Sequence, residues 1–194
     1  MQPIENYENV EAKNFGEFER LELGGHVCII NKAYIALSTM QKEMLCLELE
    51  ISNGKQAGFF KKQFDENTKE NKKWGCIYRQ LTRENPEFFK GMITAIENSN
   101  PGYKFNWDEN TLVGRLVGGV FGLEEYTKQD GTIGTATKCV QLRSIDKIKD
   151  CPIPKVKMLN GTRVDYNTYM ETTRRVNDFT NGETTHFDET DLPF

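Results

Sequence analysis

NPEFFKGMITAIENSNPG, residues 85–102, is the stretch on which the fold turns. Asn85 can cap a helix, and Pro86 sits where a first helical turn has no use for the missing N–H. Phe89, Met92, Ile93 and Ile96 then recur at helical spacing and form one apolar stripe. Asn100-Pro101-Gly102 stops the run. A helix is predicted here, in the middle of the chain, with strand-like segments on both sides.

Upstream, residues 24–37 (GGHVCIINKAYIAL) are β-branched and aromatic-rich, and launch from a Gly-Gly turn. After a turn at 38–42, EMLCLELEI alternates strictly. Leu45, Leu47, Leu49 and Ile51 share one face, and Met44, Cys46, Glu48 and Glu50 share the other. SNGKQAG is a turn, and GFFKKQF reads as a short third strand. Alternation there would place Phe60 with Lys62 on one face and Phe59 with Lys61 on the other. DENTKENKK is a polar loop, and WGCIYRQLT is expected to hold a helical turn.

Downstream of the helix, residues 111–126 (TLVGRLVGGVFGLEEY) read as a long strand, KQDGTIG as a loop and TATKCVQLRSI as a fifth strand. Glycines 114, 118, 119 and 122 suit a strand that bends sharply. The order is strand, strand, strand, helix, strand, strand. It matches the OB-fold, a mainly β five-stranded Greek-key barrel with a helix between strands three and four. An SH3-like barrel or a flat α+β sheet would offer similar strands; the central helix favours the OB-fold. Three regions are expected: an acidic N-terminal arm (1–22), the barrel (23–150), and a flexible, disordered tail (151–194) with a transient helix near 166–176.

The net charge of −4 over 194 residues conceals a division. Residues 1–22 hold six acids and two bases, residues 23–149 fifteen acids and eighteen bases, residues 150–175 three acids and five bases. Residues 176–194 hold five acids and no base. A mildly basic centre between acidic arms implies different partners for different segments. Mean hydropathy of −0.64 and 37% hydrophobic residues suit one modest core. No apolar run approaches the roughly 20 residues that cross a bilayer, and the start of the chain has no signal-peptide core. Five scattered cysteines without a CxxC pair, beside two histidines, indicate free thiols in a reducing cytoplasm.

The chain ends FDETDLPF. Asp188, Glu189 and Asp191 precede Leu192, Pro193 and Phe194, an acidic and apolar peptide suited to a pocket ringed by Arg or Lys. The central block interleaves cations with flat rings, as sequence-tolerant binding of a single strand requires. The candidates are Lys32 and Tyr34 on the first strand; Phe60, Lys61 and Lys62 on the third; and Lys72, Lys73, Trp74, Tyr78 and Arg79 around the polar loop. Arg115, Tyr126, Lys128, Lys138 and Arg143 follow on the later strands and their loop. Trp74, beside two lysines, is the leading stacking candidate. One of Phe59 and Phe60 is expected in the core, and Phe88 and Phe89 are expected to face the core or to pack at the helix end. Trp107 is expected to be a structural plug.

GFFKKQF, KKWGCIYRQLT, FFKGMITAIENSNPGYKFNW and LVGRLVGGVFGLEEY resemble an OB-fold family carried by phages and mobile elements of Gram-positive bacteria. The terminal peptide is similar to the acidic tip of bacterial single-stranded DNA-binding proteins, with Leu192 in place of Ile and Thr190 interrupting the acids. The resemblance implies a non-catalytic protein in the bacterial host cytoplasm, active in replication, recombination or repair. It would coat single-stranded DNA with little sequence preference. It would recruit partner enzymes through Asp188, Glu189, Asp191, Leu192, Pro193 and Phe194. An OB-fold adaptor and a recombination mediator or annealing protein are the alternatives. The usual Gly/Gln/Pro-rich linker is missing, so the bacterial tetramer does not carry over, although self-association is compatible with the reading. No phosphate loop, HExxH or GxSxG motif is present; no cofactor or metal is expected, and no membrane.

Overall fold

The spine of the sheet is β1 (Gly24–Leu37), which serves two partners in succession. Its first residues, Gly24 to Ile29, pair antiparallel with β4 (Leu116–Thr127), and from Cys28 onward it pairs antiparallel with β2 (Glu43–Ile51). A bulge between Ile30 and Lys32 bends the strand between these two pairings. Strand β2 continues to β3 (Ile77–Leu81), and β4 forms a long hairpin with β5 (Ile133–Arg143). In the computed structural model, residues 19–149 and 151–181 are described. They form a mainly β fold, a seven-stranded mixed sheet with three α-helices. No helix among the described residues is long and apolar enough to cross a membrane.

The alternation of residues 43–51 builds the core. Leu45, Leu47, Leu49 and Ile51 are buried with Cys28 and Ile30 of β1, Val117 and Phe121 of β4, and the apolar stripe of the central helix. That helix spans Pro86–Ser99 and buries Phe89, Met92, Ile93, Ala95 and Ile96. Asn85 precedes it without forming a side-chain cap. Its other end is pinned by Asn100, whose Nδ2 donates to the carbonyls of Ile96 and Leu116 while its Oδ1 accepts from the Leu116 N–H.

Two assignments change. GFFKKQF is not a strand. Residues Phe59–Glu66 form helix α1, so the central helix is α2, and the third strand lies instead in the segment expected to turn. Helix α1 exists because Glu50 is waiting for it. This 7%-exposed carboxylate accepts the backbone N–H of Ile51 (2.8 Å) and Phe60 (3.0 Å) through Oε1, and that of Lys61 (2.6 Å) through Oε2. A negative charge at a helix N-terminus satisfies donors that have no partner in the helix. The ion pair Lys61–Asp65 spans the next turn. Phe59 and Phe60 are therefore both buried, against the expected split between two faces.

The structure also differs from the expectation for the two arms. Leu21 is buried, Glu19 pairs with Lys62, and Gln56 bonds the backbone of Arg20 and Glu22, so residues 19–22 belong to the fold. Residues expected in the tail pack on the outer face of β4, beside Ile148 from the end of the predicted barrel. Ile148 lies against Gly25 and Gly118, Pro154 against Gly122, and Val156 is fully buried. Strand β6 (Val156–Lys157) pairs in parallel with β4 and antiparallel with β7 (Arg163–Val164), after which α3 runs from Tyr166 to Asn181. Glu125 accepts from the Leu159 N–H and the Tyr169 hydroxyl, tying this segment down. Gly118 and Gly122 of β4 make room for this packing, and Gly119 for the core on the other face. A Cβ on Gly118 would lie 2.3 Å from Ile148 Cγ2, and one on Gly119 would lie 2.9 Å from Cys28 Sγ.

Strands β3 and β5 come into contact, but among the described residues no ladder joins them. The sheet does not close into a barrel. The N-terminal arm before residue 19 and the tip at 188–194 lie outside the described residues.

Candidate functional site

The register of β1, β2 and β3 assembles the tightest group of predicted residues. Tyr34 faces Cys46, which faces Arg79; one step away, Lys32 faces Glu48, which faces Ile77. These rows lie on the side of the sheet opposite Leu45, Leu47 and Leu49. The Lys32 ammonium stands 5.3 Å from the Tyr34 ring centroid. Partial burial pushes the Tyr34 phenol above its ordinary value, with Cys46 and Glu48 adding to the rise and Arg79 opposing it. Lys32 and Arg79 are exposed beside the half-buried Tyr34, an arrangement able to hold phosphates around a stacked base. Glu48 sits within the row and tempers its positive charge.

A second group lies at the β4–β5 hairpin tip. Tyr126 and Lys128 cover Gly134, whose Cβ would approach both side chains at 2.9 Å. Tyr126 keeps 46% of its surface exposed. A third group occupies the seam where β3 and β5 meet without pairing. Tyr78 and Arg143 share an open cleft of about 360 Å³ beside α2. Burial, with a smaller contribution from Cys139, pushes the Tyr78 phenol up to about 12. The Arg143 Nε donates to Gln141.

The remaining predicted residues are dispersed or committed to the fold. Phe60 is 4% exposed, set edge-on to Phe59 and stacked with Phe121, so no base can reach it. Trp74 is half-buried; its Nε1–H donates to the Leu49 carbonyl at 2.7 Å and its ring lies against Phe64. Lys72 folds over Phe64 and donates to its carbonyl. Arg115 covers the Tyr103 ring at 4.3 Å and donates to the Thr111 carbonyl. Lys61 and Lys62 are exposed on α1 in the ion pairs already described. Lys73 and Lys138 are exposed, away from these groups in sequence and pairing.

Sequence reasoning missed two exposed aromatics. Phe88 is 63% exposed although its neighbour Phe89 is core. Trp107 is no plug: it is 82% exposed, stacks on Phe89 and holds a left-handed φ of 69°. Helical phase distinguishes Phe88 from Phe89, and that signal was legible. Nothing local in Asn106-Trp107-Asp108 announced the exposure of the indole. Lys147, which joins Arg143 at the cleft, lies in a short 3-10 turn, Ile145–Lys147. Among the described residues, no group of three or more His, Cys, Asp or Glu side chains is arranged to hold a metal ion. Compared with known protein families, the chain matches no family model, and no curated protein matches it.

Proposed function

We propose that this protein is an OB-like single-stranded DNA-binding protein of a phage or mobile element, acting in replication or recombination in a bacterial host. The strand connections support the fold reading. β1 joins β2 and β4, β2 joins β3, β4 joins β5, and α2 lies between β3 and β4. Apart from the β3–β5 pairing, which is not made among the described residues, these connections match those of an OB-fold, a partly open barrel whose strand 2–3 face and adjoining loops bind oligonucleotides. The observation that carries the function is the row of Lys32, Tyr34 and Arg79 on that face. The strand would lie across it, with a base on Tyr34 and phosphates against the two cations. The tip at 188–194 would recruit partner enzymes and take no part in gripping DNA.

Titration of a fluorescent oligo-dT against rising salt tests this reading. Wild type should bind with strong salt dependence and prefer the single strand to duplex. Lys32→Ala and Arg79→Ala should each flatten the slope of log affinity against log salt by roughly 0.7. Tyr34→Ala should weaken binding by about 1–3 kcal/mol. Salt-insensitive binding, or an equal signal from duplex, defeats the proposal. Deleting residues 191–194 should abolish capture of host repair enzymes and leave oligo-dT affinity equal or slightly higher.

A further inference from the structure

Gly91 lies in the middle of α2, yet the fold gives no reason for a glycine there. An added Cβ would meet nothing within 4 Å, in contrast to the crowded glycines of β4. Glycine inside a helix is unfavourable relative to alanine, so close approach from outside the molecule is the physical use that remains for it. Gly91 lines the cleft between β3, β5 and α2, with Phe88 one turn before it and Asn98 two turns after it. Across from them stand Tyr78, Arg143 and Lys147. An exposed ring, a bare stretch of helix backbone and two cations are thus gathered in a cleft whose roughly 360 Å³ falls in the size range of small-ligand pockets.

We infer that this cleft is a second nucleotide subsite, in which one nucleotide of the bound strand lies against Phe88 and over Gly91, its phosphate held by Arg143 and Lys147. The inference rests on the single-strand-binding reading and extends it. Arg79 projects from β3 to the outer face while its neighbour Tyr78 enters the cleft, so a strand leaving the Lys32–Tyr34–Arg79 row reaches the cleft by crossing the β3 edge. Glu87 also lines the cleft and leaves it only mildly positive. Contact with the ring and backbone therefore carries more of the recognition here than charge does.

Anisotropy of a labelled oligo-dT with the full chain, paired with thermal melting, tests the subsite. Gly91→Gln places a side chain in open cleft space, so the melting temperature should hold or rise while affinity falls at least about 5-fold. Phe88→Ala should lose about 5- to 150-fold, the range of one stacked base. Arg143→Gln should flatten the salt slope. If wild type binds with salt dependence and the Gly91 and Phe88 variants bind equally well, the subsite is overturned while the outer-face reading stands. If wild type itself shows no salt-dependent binding, the functional reading fails and the subsite falls with it.

Discussion

Alanine at Gly118 and alanine at Gly91 should move stability in opposite directions. At Gly118 the new methyl would sit 2.3 Å from Ile148 Cγ2, 2.9 Å from the Arg143 carbonyl oxygen and 3.3 Å from that of Ser144. Two of these neighbours are backbone and cannot rotate aside. Overpacking of this kind costs about 1–3 kcal/mol, against which restriction of the unfolded chain returns roughly 0.4–1 kcal/mol. The net loss of about 1–2 kcal/mol corresponds to a fall in Tm of roughly 2–8 °C for a domain of this size. At Gly91 the same change meets open space, and the helix should gain about 1 kcal/mol. Thermal unfolding followed by far-UV circular dichroism reads both. Ile148→Ala supplies the control: in that background Gly118→Ala should lose less, because one of its three obstructions is gone. A Gly118→Ala protein as stable as wild type would mean that Ile148 does not lie on β4 as described.

Trp74→Phe should lower the urea midpoint by an amount equal to about 0.5–1.5 kcal/mol, because the Leu49 carbonyl loses its indole donor. Its oligo-dT affinity should stay that of wild type, and a fivefold loss at unchanged stability would restore Trp74 as a stacking residue. Glu50→Ala strands two backbone donors at the start of α1 and that of Ile51 at the end of β2, and should destabilise by at least roughly 1–3 kcal/mol with loss of helical ellipticity; unaltered urea unfolding would remove Glu50 from its capping role. Alkaline pH should also destabilise the fold. Burial raises the Cys28 thiol and the Tyr78 phenol above their ordinary values, so the folded state keeps protons that the unfolded chain gives up. Stability should be flat below about pH 8.5 and then fall, each group adding a slope of about 1.4 kcal/mol per pH unit above its unfolded value. Urea midpoints that stay constant from about pH 7 to 10.5 would contradict the burial of these groups.

Where a period was sustained, it was legible in the chain. Residues 43–51 alternate over nine positions and form the strand they predict; the stripe of Phe89, Met92, Ile93 and Ile96 is the buried face of α2. FFKKQF is too short for such a decision. Two adjacent phenylalanines and two lysines satisfy a strand by alternation, and Phe60 with Phe64 satisfy a helix equally well. A carboxylate nine residues before Phe59 made the choice. The candidate site divided in the same way. Lys32 and Tyr34 share parity and were legible as neighbours, whereas Arg79 joined them only through the β1–β2–β3 register.

By itself, then, the sequence determined what local spacing can encode: the strands of 24–51, the central helix, the long glycine-containing strand, and the charge division between a basic centre and acidic ends. Only the tertiary structure decided which groups meet. It placed Glu50 under α1, Ile148 over Gly118 and Arg79 beside Tyr34, contacts spanning about ten to forty-five residues of chain. Periodicity describes the faces of one segment. Burial, capping and register depend on what another segment brings to that face, and no window along the chain contains both.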